Sequence, residues 1–407
     1  MNSARPAQAG LAFFLSLPQK RSVRHPMSFR SSRTSDSDLA LVLRVLSESG
    51  RGHPADAALR EALREERGMS PEARAWVSQA VHTHARWRGF LESPVPSRES
   101  VQEALGWARR SEENPGGFEE SAFERHAVPD WIHAHLDAEP GWFRALQRDP
   151  MLWLRTPRRW TLELPRWLPE VSPGPLPDSW RYEGERDLWR EEAFQEGKFE
   201  MQDLSSQGVG SICGARAGET WWDVCAGEGG KTLHLSDLME SRGLIWATDR
   251  SERRLRRLRM RAARARVFNY RTRTWLGEGK PPMKTLCDGV LVDAPCSGVG
   301  TWQRNPHARW VLEPRDIEEL SVVQARLLRW ASSRVKPGGR LIYSVCTMTR
   351  AETWGVVDAF QREVQGFDPC AQADPFDARA EARPARFFWP QTNGGNGMFV
   401  ATWKRKD

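Results

Sequence analysis

Apolar residues along the chain fall into two regimes. From Asp38 onward, Leu39, Val42, Leu43 and Leu46 recur at i, i+3, i+4 and i+7, the spacing of one helix face, behind capping candidates at Ser35 to Ser37. A second helical stretch, ADAALREALREE, follows Pro54. A third starts at Ser70-Pro71, where serine can accept from free amides and proline suits the first turn. Its stripe of Val77, Ala80, Val81, His84, Trp87 and Leu91 predicts a buried face. Together the three stretches predict a small all-α domain over 37–111. Glu-Glu-Asn-Pro-Gly-Gly at 112–117 reads as a linker. Residues 118–205 mix helical and short apolar runs with Trp131, Trp142, Trp153, Trp160 and Trp167, which predicts a connecting α+β segment without a definite topology.

After Gly208 the texture changes. TWWDVC, GLIWATD, CDGVLVDAP and GGRLIYSVC are apolar runs, each followed by a turn or a helical stretch. Strands apolar on both faces and alternating with helices predict a buried parallel sheet with crossovers, a doubly wound α/β domain over 206–407. GMFVATWKR reads as a last, antiparallel strand at the sheet edge. Ligands of such a sheet sit beyond the carboxyl ends of its strands.

Length and charge narrow the class. A chain of 407 residues exceeds what one core usually organises. The net charge of +7 points to a polyanionic partner, with nucleic acid, acidic protein and membrane surface all open. No run approaches about 18 apolar residues, so no membrane helix is expected. GLAFFLSL at 10–17 lacks a charged leading region and a clear cleavage site. Residues 1–36, rich in Ser and Arg, read as a disordered basic tail, with Met27 as an alternative start. The six cysteines, Cys213, Cys225, Cys287, Cys296, Cys346 and Cys370, show no C-x-x-C pair. Reduced thiols in a cytoplasmic, monomeric protein without a metal are the expectation. The HTH and HAH triplets at 82–84 and 133–135 lack further ligands.

Four segments carry chemistry. In the first, TWWDVC runs into Ala226-Gly227-Glu228-Gly229-Gly230 and then a helical KTLHLSDLM. A glycine-rich strand-to-helix turn lets a ligand approach the backbone amides, or is simply a tight turn. The P-loop spacing fails, because position 225 is Cys. In the second, GLIWATD ends on Asp249, which suits ribose hydroxyls or an N-cap equally. The third, CDGVLVDAPCSGVGTWQRNP, sets Asp293, Pro295 and Cys296 where a strand gives way to a loop. The fourth, GGRLIYSVCTMTRAET, sets Cys346 at another strand end. A lone strand cysteine is usually a small buried hydrophobe, which suits Cys213, Cys287 and Cys370. Two cysteines at strand ends beside a glycine turn suggest more.

These segments resemble the RNA 5-methylcytosine methyltransferases of the RsmB/NOP2/NSUN group. The resemblance runs in order through GKFEMQDLSS (197–206), DVCAGEGGKT (223–232), ATD (247–249), DGVLVDAPCSGVG (288–300), RNPHARW (304–310), VKPGGRLIYSVCT (335–347) and GMFVA. It implies a Rossmann-like class I methyltransferase domain using S-adenosylmethionine, with RNA, ribosomal RNA in particular, as substrate. ADAALREALR and RAWVSQAVHTHARWRGFL resemble the family's NusB-like helical domain, and HAVPDW and MLWLRT its connecting RNA-binding segment. By the resemblance, Cys346 is the nucleophile, Cys296 assists release, Asp293 holds the base near the cofactor, and Lys231 is an active-site lysine. Cofactor contacts carry over to Cys225, Ala226, Gly227, Glu228, Gly229, Gly230 and Lys231, with Asp249 on the ribose and Asp293 near the methionine end. The sequence also departs from the pattern. Glu228 replaces the usual proline, which adds a negative charge beside the cofactor. Val345 and Thr347 replace the usual Thr and Ser, and His307 stands where Asp is common. RVFNYRTRTWLGEG offers no Asp for the adenine contact.

Three readings remain open on these residues: RNA methylation through Cys346, DNA methylation through Cys296, and a catalytically silent RNA-binding or ribosome-assembly factor. The nine arginines from Arg250 to Arg266 form either a phosphate-contacting face or a solvated helix face. Trp302 and Trp310 are the candidates for stacking on RNA bases.

Overall fold

The protein is represented by a computed structural model that describes residues 35–407. The expected basic tail, the apolar run at 10–17 and the alternative start therefore lie outside the described residues, apart from Ser35 and Asp36. Asp36 is already helical.

Four helices open the described chain: α1 (Asp36–Glu48), α2 (Ala55–Glu65), α3 (Pro71–Trp87) and α4 (Arg98–Glu113). Ser35 caps α1 in a reciprocal box with Asp38, and the Ser70 hydroxyl accepts from the Ala73 amide at 3.2 Å to cap α3. Each such cap is worth about 1 kcal/mol. The α3 stripe is buried as expected, whereas in α1 Leu41 and Val45 are buried and Leu43 is only half-buried. Helix α4, capped by Ser97, had no apolar stripe long enough to announce it. It runs through Glu113, so the chain first leaves helix at Asn114 rather than at 112. The helices also share a core with later parts of the chain: Trp87, Leu91 and Ala104 pack with Phe123, Ile132, Trp142, Val299, Trp302 and Met348.

The connecting segment contains α5 (Glu120–His126), the one-turn helix α6 (Trp142–Ala145), β1 (Leu152–Arg155), the one-turn helix α7 (Leu164–Trp167), β2 (Val171–Pro173), β3 (Ser179–Tyr182), a third one-turn helix α8 (Glu192–Gln195), and β4 (Glu200–Met201). Its strands form an antiparallel sheet in the order β2-β3-β1-β4.

The last domain runs α9 (Leu204–Cys213), β5 (Thr220–Asp223), α10 (Gly230–Leu238), β6 (Leu244–Asp249), α11 (Glu252–Arg264), β7 (Tyr270–Thr274), β8 (Cys287–Asp293), α12 (Pro314–Ser332) and β9 (Val335–Val345). It ends with α13 (Trp354–Glu363), β10 (Phe367–Pro369), β11 (Ala385–Phe388), α14 (Pro390–Asn393) and β12 (Met398–Arg405). The sheet order is β10-β12-β9-β8-β5-β6-β7, with β11 also on β12. Strands β5 to β9 pair in parallel, and β12 runs antiparallel to β9 with Phe399 opposite Val345. β12 is therefore antiparallel as expected but is not an edge strand, since β10 and β11 both pair with it. The order reverses between β5 and β8, and the crevice outside the carboxyl ends of these two strands is the place where such a sheet binds ligands. Among the described residues, no helix is long and apolar enough to cross a membrane.

Candidate functional site

The turn after β5 is shaped by two glycines in the left-handed region, Gly227 at φ 56° and Gly229 at φ 90°. A side chain at Gly229 would run into Leu258 of α11, whereas a Cβ at Gly230 would meet open space. The turn is tied to β6, because Ala226 N–H donates to the Thr248 carbonyl at 2.8 Å and Thr248 Oγ1 donates to the Val224 carbonyl at 2.7 Å. Helix α10 thus starts against free space, with its first amides aimed there.

Three carboxylates surround this turn. Asp249, at the end of β6, is buried and accepts from Gly227 N–H at 3.0 Å and from Ser251 N–H at 2.8 Å. Ser251, not Asp249, is the N-cap of α11. Asp223, at the end of β5, accepts from Thr232 Oγ1 at 2.6 Å and leaves its other oxygen without a partner. Burial is the main cause that pushes its carboxyl up to about 7. Asp293, at the end of β8, accepts from Lys231 Nζ at 2.8 Å and from Ser344 Oγ at 2.8 Å. A carboxylate has about four lone-pair sites, so Asp293 keeps acceptor capacity for a ligand. Burial works against the charge on Lys231, but Asp293 outweighs it by charge and hydrogen bond, and the ammonium is held above its usual range.

Cys296 and Cys346 meet in the same crevice. Their sulfurs lie 3.3 Å apart, and both residues are partly exposed. The hydrogen bond to Cys346, followed by burial, pushes the Cys296 thiol well above its ordinary value. Either sulfur can be the donor across this contact. Cys346 is among the lesser causes that raise Lys231, after Asp293.

The other site expectations fare unevenly. Cys225 is partly buried, and its thiol is raised well above the usual range by burial first and by Asp223 next. Glu228 adds no unbalanced charge, because Arg257 pairs with its carboxylate. Trp302 is fully buried between Trp131 and Trp142, and the indole N–H of Trp310 donates to the Ala85 carbonyl at 2.7 Å, so both pack the interior. Leu154, Arg155 and Thr156 of MLWLRT are buried too, with Arg155 bonded to Gln202 and Asp237. Val345 is core and His307 is buried. RVFNYRTRTWLGEG contributes β7, and Trp275 then packs on Trp222 at 5.3 Å. Among the described residues, no group of three His, Cys, Asp or Glu is placed to hold a metal ion. A cavity of about 410 Å³ lined by Trp354, Phe387, Trp389 and Arg383 includes none of the expected site residues.

One buried acid at the site has no signal in the motifs. Glu352 is fully buried and accepts from Ser297 N–H at 2.8 Å, Gln324 Nε2 at 2.9 Å, Thr347 Oγ1 at 3.0 Å and Thr349 Oγ1 at 2.8 Å, and also from the Ser297 hydroxyl. A glutamate ahead of a helix looks in sequence like an exposed first-turn acid, and two of its partners, Ser297 and Gln324, lie 55 and 28 residues away along the chain.

The family model for 16S rRNA methyltransferases RsmB/F matches residues 212–404. A probable ribosomal RNA small subunit methyltransferase B of Synechocystis is 38% identical over 189 residues, 45% of this chain and 41% of that protein. The corresponding Bacillus subtilis protein is 32% identical over 219 residues, 52% of this chain and 49% of that one. The chain thus spans about half the length of these curated relatives. In fold, the crystal structure of PH0851 superposes with a TM-score of 0.73 at 21% identity, covering 90% of this chain and 98% of that one. The matched residues and these relatives make the domain over 212–404 similar to the S-adenosylmethionine-dependent methyltransferases of the RsmB/NOP2/NSUN family.

Proposed function

We propose that this protein methylates carbon 5 of a cytosine in RNA, ribosomal RNA in the first instance, with Cys346 as nucleophile and Cys296 acting at release. The observation that carries this reading is the pair of sulfurs 3.3 Å apart, beyond the ends of β8 and β9 and beside the Lys231–Asp293 pair.

The residues present fit the methyl donor. A left-handed glycine turn with open space over Gly230 suits an adenosyl group, the buried Asp249 beside it suits ribose hydroxyls, and the Asp293 carboxylate suits a sulfonium. When bound, S-adenosylmethionine supplies a methyl group made electrophilic by positive sulfur. The rest falls to this chain. The Cys346 thiolate adds to ring carbon 6, and the electron pair of the 5,6 double bond shifts toward carbon 5 and the ring nitrogen and oxygen. Lys231 offsets the charge that spreads over the ring, and Asp293 accepts from the exocyclic amino group. Carbon 5 then takes the methyl through that electron pair. Its proton leaves to water, the 5,6 double bond re-forms, and the Cys346–carbon 6 bond breaks to return a thiolate. The Cys296 S–H, hydrogen-bonded to the departing sulfur, makes it a better leaving group. The target base has to enter a cleft at the strand ends, which requires a single-stranded or flipped-out cytosine. The connecting segment and the helical, NusB-like region upstream contribute RNA contacts in this reading.

Purified wild-type and variant proteins, given unmodified ribosomal RNA and radiolabelled donor, test it. Cys346→Ala should lose methyl transfer entirely, and Cys296→Ala should accumulate a protein–RNA adduct stable to denaturation. Full activity in Cys346→Ala would remove the assignment. Adducts through Cys296 with duplex DNA would favour the DNA reading, and no calorimetric binding at millimolar donor would favour the silent factor.

A further inference from the structure

Glu352 brings a carboxylate into the interior with no ion-pair partner among the described residues. An unpaired buried carboxylate is costly unless hydrogen bonds saturate it. Here two oxygens receive donors from Ser297, Gln324, Thr347 and Thr349, with Ser297 contributing both its amide and its hydroxyl. These donors come from three places that the chain keeps far apart: the loop after β8, the middle of α12, and the loop after β9. Ser297 directly follows Cys296, and Thr347 directly follows Cys346. Gln324 also donates to the Pro295 carbonyl at 2.9 Å, so the residue on the other side of Cys296 is held by the same network. Tyr343, from β9 itself, places its hydroxyl 2.7 Å from the Glu352 carbonyl and fixes the glutamate's backbone.

We propose that Glu352 is a positioning residue that clamps the two cysteine loops together and so sets the rate at which the methylated product is released. This rests on the roles given above to Cys346 and Cys296. The first bond needs only the Cys346 sulfur and the base. Release needs the Cys296 S–H in hydrogen-bond reach of that same sulfur, and the bonds from Ser297 and Pro295 into the Glu352 network hold the Cys296 loop there, together with the Gly300 N–H to Cys346 carbonyl bond at 3.0 Å and the Ser297–Thr347 hydroxyl contact at 2.9 Å. The charge of Glu352 also adds to the causes that keep Cys296 protonated, after the Cys346 hydrogen bond and burial.

Glu352→Gln tests the clamp, because the carboxamide removes the negative charge and one acceptor oxygen, so the Ser297, Thr347 and Thr349 hydroxyls that donate to that oxygen have to turn and accept instead. Single-turnover methyl transfer should stay within about threefold of wild type. Multiple-turnover rate should fall tenfold or more, with a covalent protein–RNA band building up on denaturing gels. The Cys296→Ala,Glu352→Gln double variant should be no slower than Cys296→Ala alone. Should Glu352→Gln fail to fold by circular dichroism, Ser297→Ala cuts the tether at the Cys296 loop only and should give the same band at a smaller amplitude. Equal loss in single and multiple turnover without a band, or no loss at all, overturns the proposal. The controls separate the two levels: if Cys296→Ala traps the adduct and both clamp variants do not, the clamp fails alone. If Cys346→Ala still methylates, the underlying chemistry fails.

Discussion

Asp223 ends β5 with one oxygen bonded to Thr232 and the other facing no donor, and burial holds its proton on until about pH 7. The unfolded chain ionises the same group near its ordinary value of 3.8. Between these two values the native state binds more protons than the unfolded state, so raising the pH lowers stability, and the penalty is complete above about pH 7. A difference of about three units corresponds to roughly 4 kcal/mol at most. Asp223→Asn is neutral at every pH and keeps an acceptor for Thr232. Urea unfolding should therefore find the variant gaining on wild type by a few kcal/mol between pH 5 and pH 8. Parallel stability curves would show that Asp223 ionises freely. The residues that motif order located, Cys346, Cys296, Asp293, Lys231 and Asp249, lie at or just beyond strand ends or, for Lys231, in the first turn of the helix that follows β5, which an alternation of strands and helices makes legible. Asp223 lies within the same motif, yet its orphan oxygen depends on what packs around β5. Glu352 is harder still, since its surroundings come from residues between Pro295 and Thr349 that no local pattern links.

At the scale of the element, α11 shows why a charge run cannot be read as a surface without its neighbours. Of its arginines, Arg254 pairs with Asp249, Arg257 with Glu228 and Arg259 with Glu252, while Arg261 and Arg264 both grip Glu200 of β4. Arg250, Arg253, Arg256 and Arg266 are exposed and have no ion-pair partner among the described residues. The two groups should answer differently to mutation. Arg253→Ala with Arg256→Ala should weaken RNA binding at low salt and lower the slope of log K against log salt by up to about two, with unfolding unchanged. Arg261→Ala with Arg264→Ala should instead strand Glu200, which is almost fully buried, and cost about 3 kcal/mol or more in unfolding. If the first pair left the salt slope intact, the helix would be a solvated face and the phosphates would bind elsewhere. The strands follow the same logic. The four parallel ones named by their apolar runs are real, but Phe367–Pro369 and Ala385–Phe388 are too short and too polar in context to announce that they cover β12. Register with a neighbour, rather than composition, makes them strands.

At the scale of the whole molecule, Arg309 decides whether the helical region and the C-terminal α/β domain are one body. Its guanidinium is fully buried and faces only carbonyls: Arg86 at 3.3 Å and Ala127 at 2.9 Å on one nitrogen, Leu146 at 2.7 Å and Trp302 at 3.2 Å on the other. These come from α3, from the end of α5, from just after α6, and from the loop that carries Cys296 toward α12. Trp302 extends the joint by stacking on Trp142, which in turn meets Trp389 ahead of α14. The division into an all-α domain, a linker and an α/β domain follows changes in sequence texture, but the apolar core and this one cation ignore those boundaries. Arg309→Met keeps most of the volume and removes every donor, leaving four buried acceptors short of a partner. At about 1 kcal/mol or more for each unsatisfied group, the loss should come to roughly 3–5 kcal/mol in denaturant unfolding. It should also be uneven: limited proteolysis should cut within residues 87–150 well before the sheet opens, because the sheet retains its own core around Trp222, Val290 and Tyr343. A single cooperative transition with unaltered cleavage sites would mean that the aromatic cluster holds the two regions together without the guanidinium.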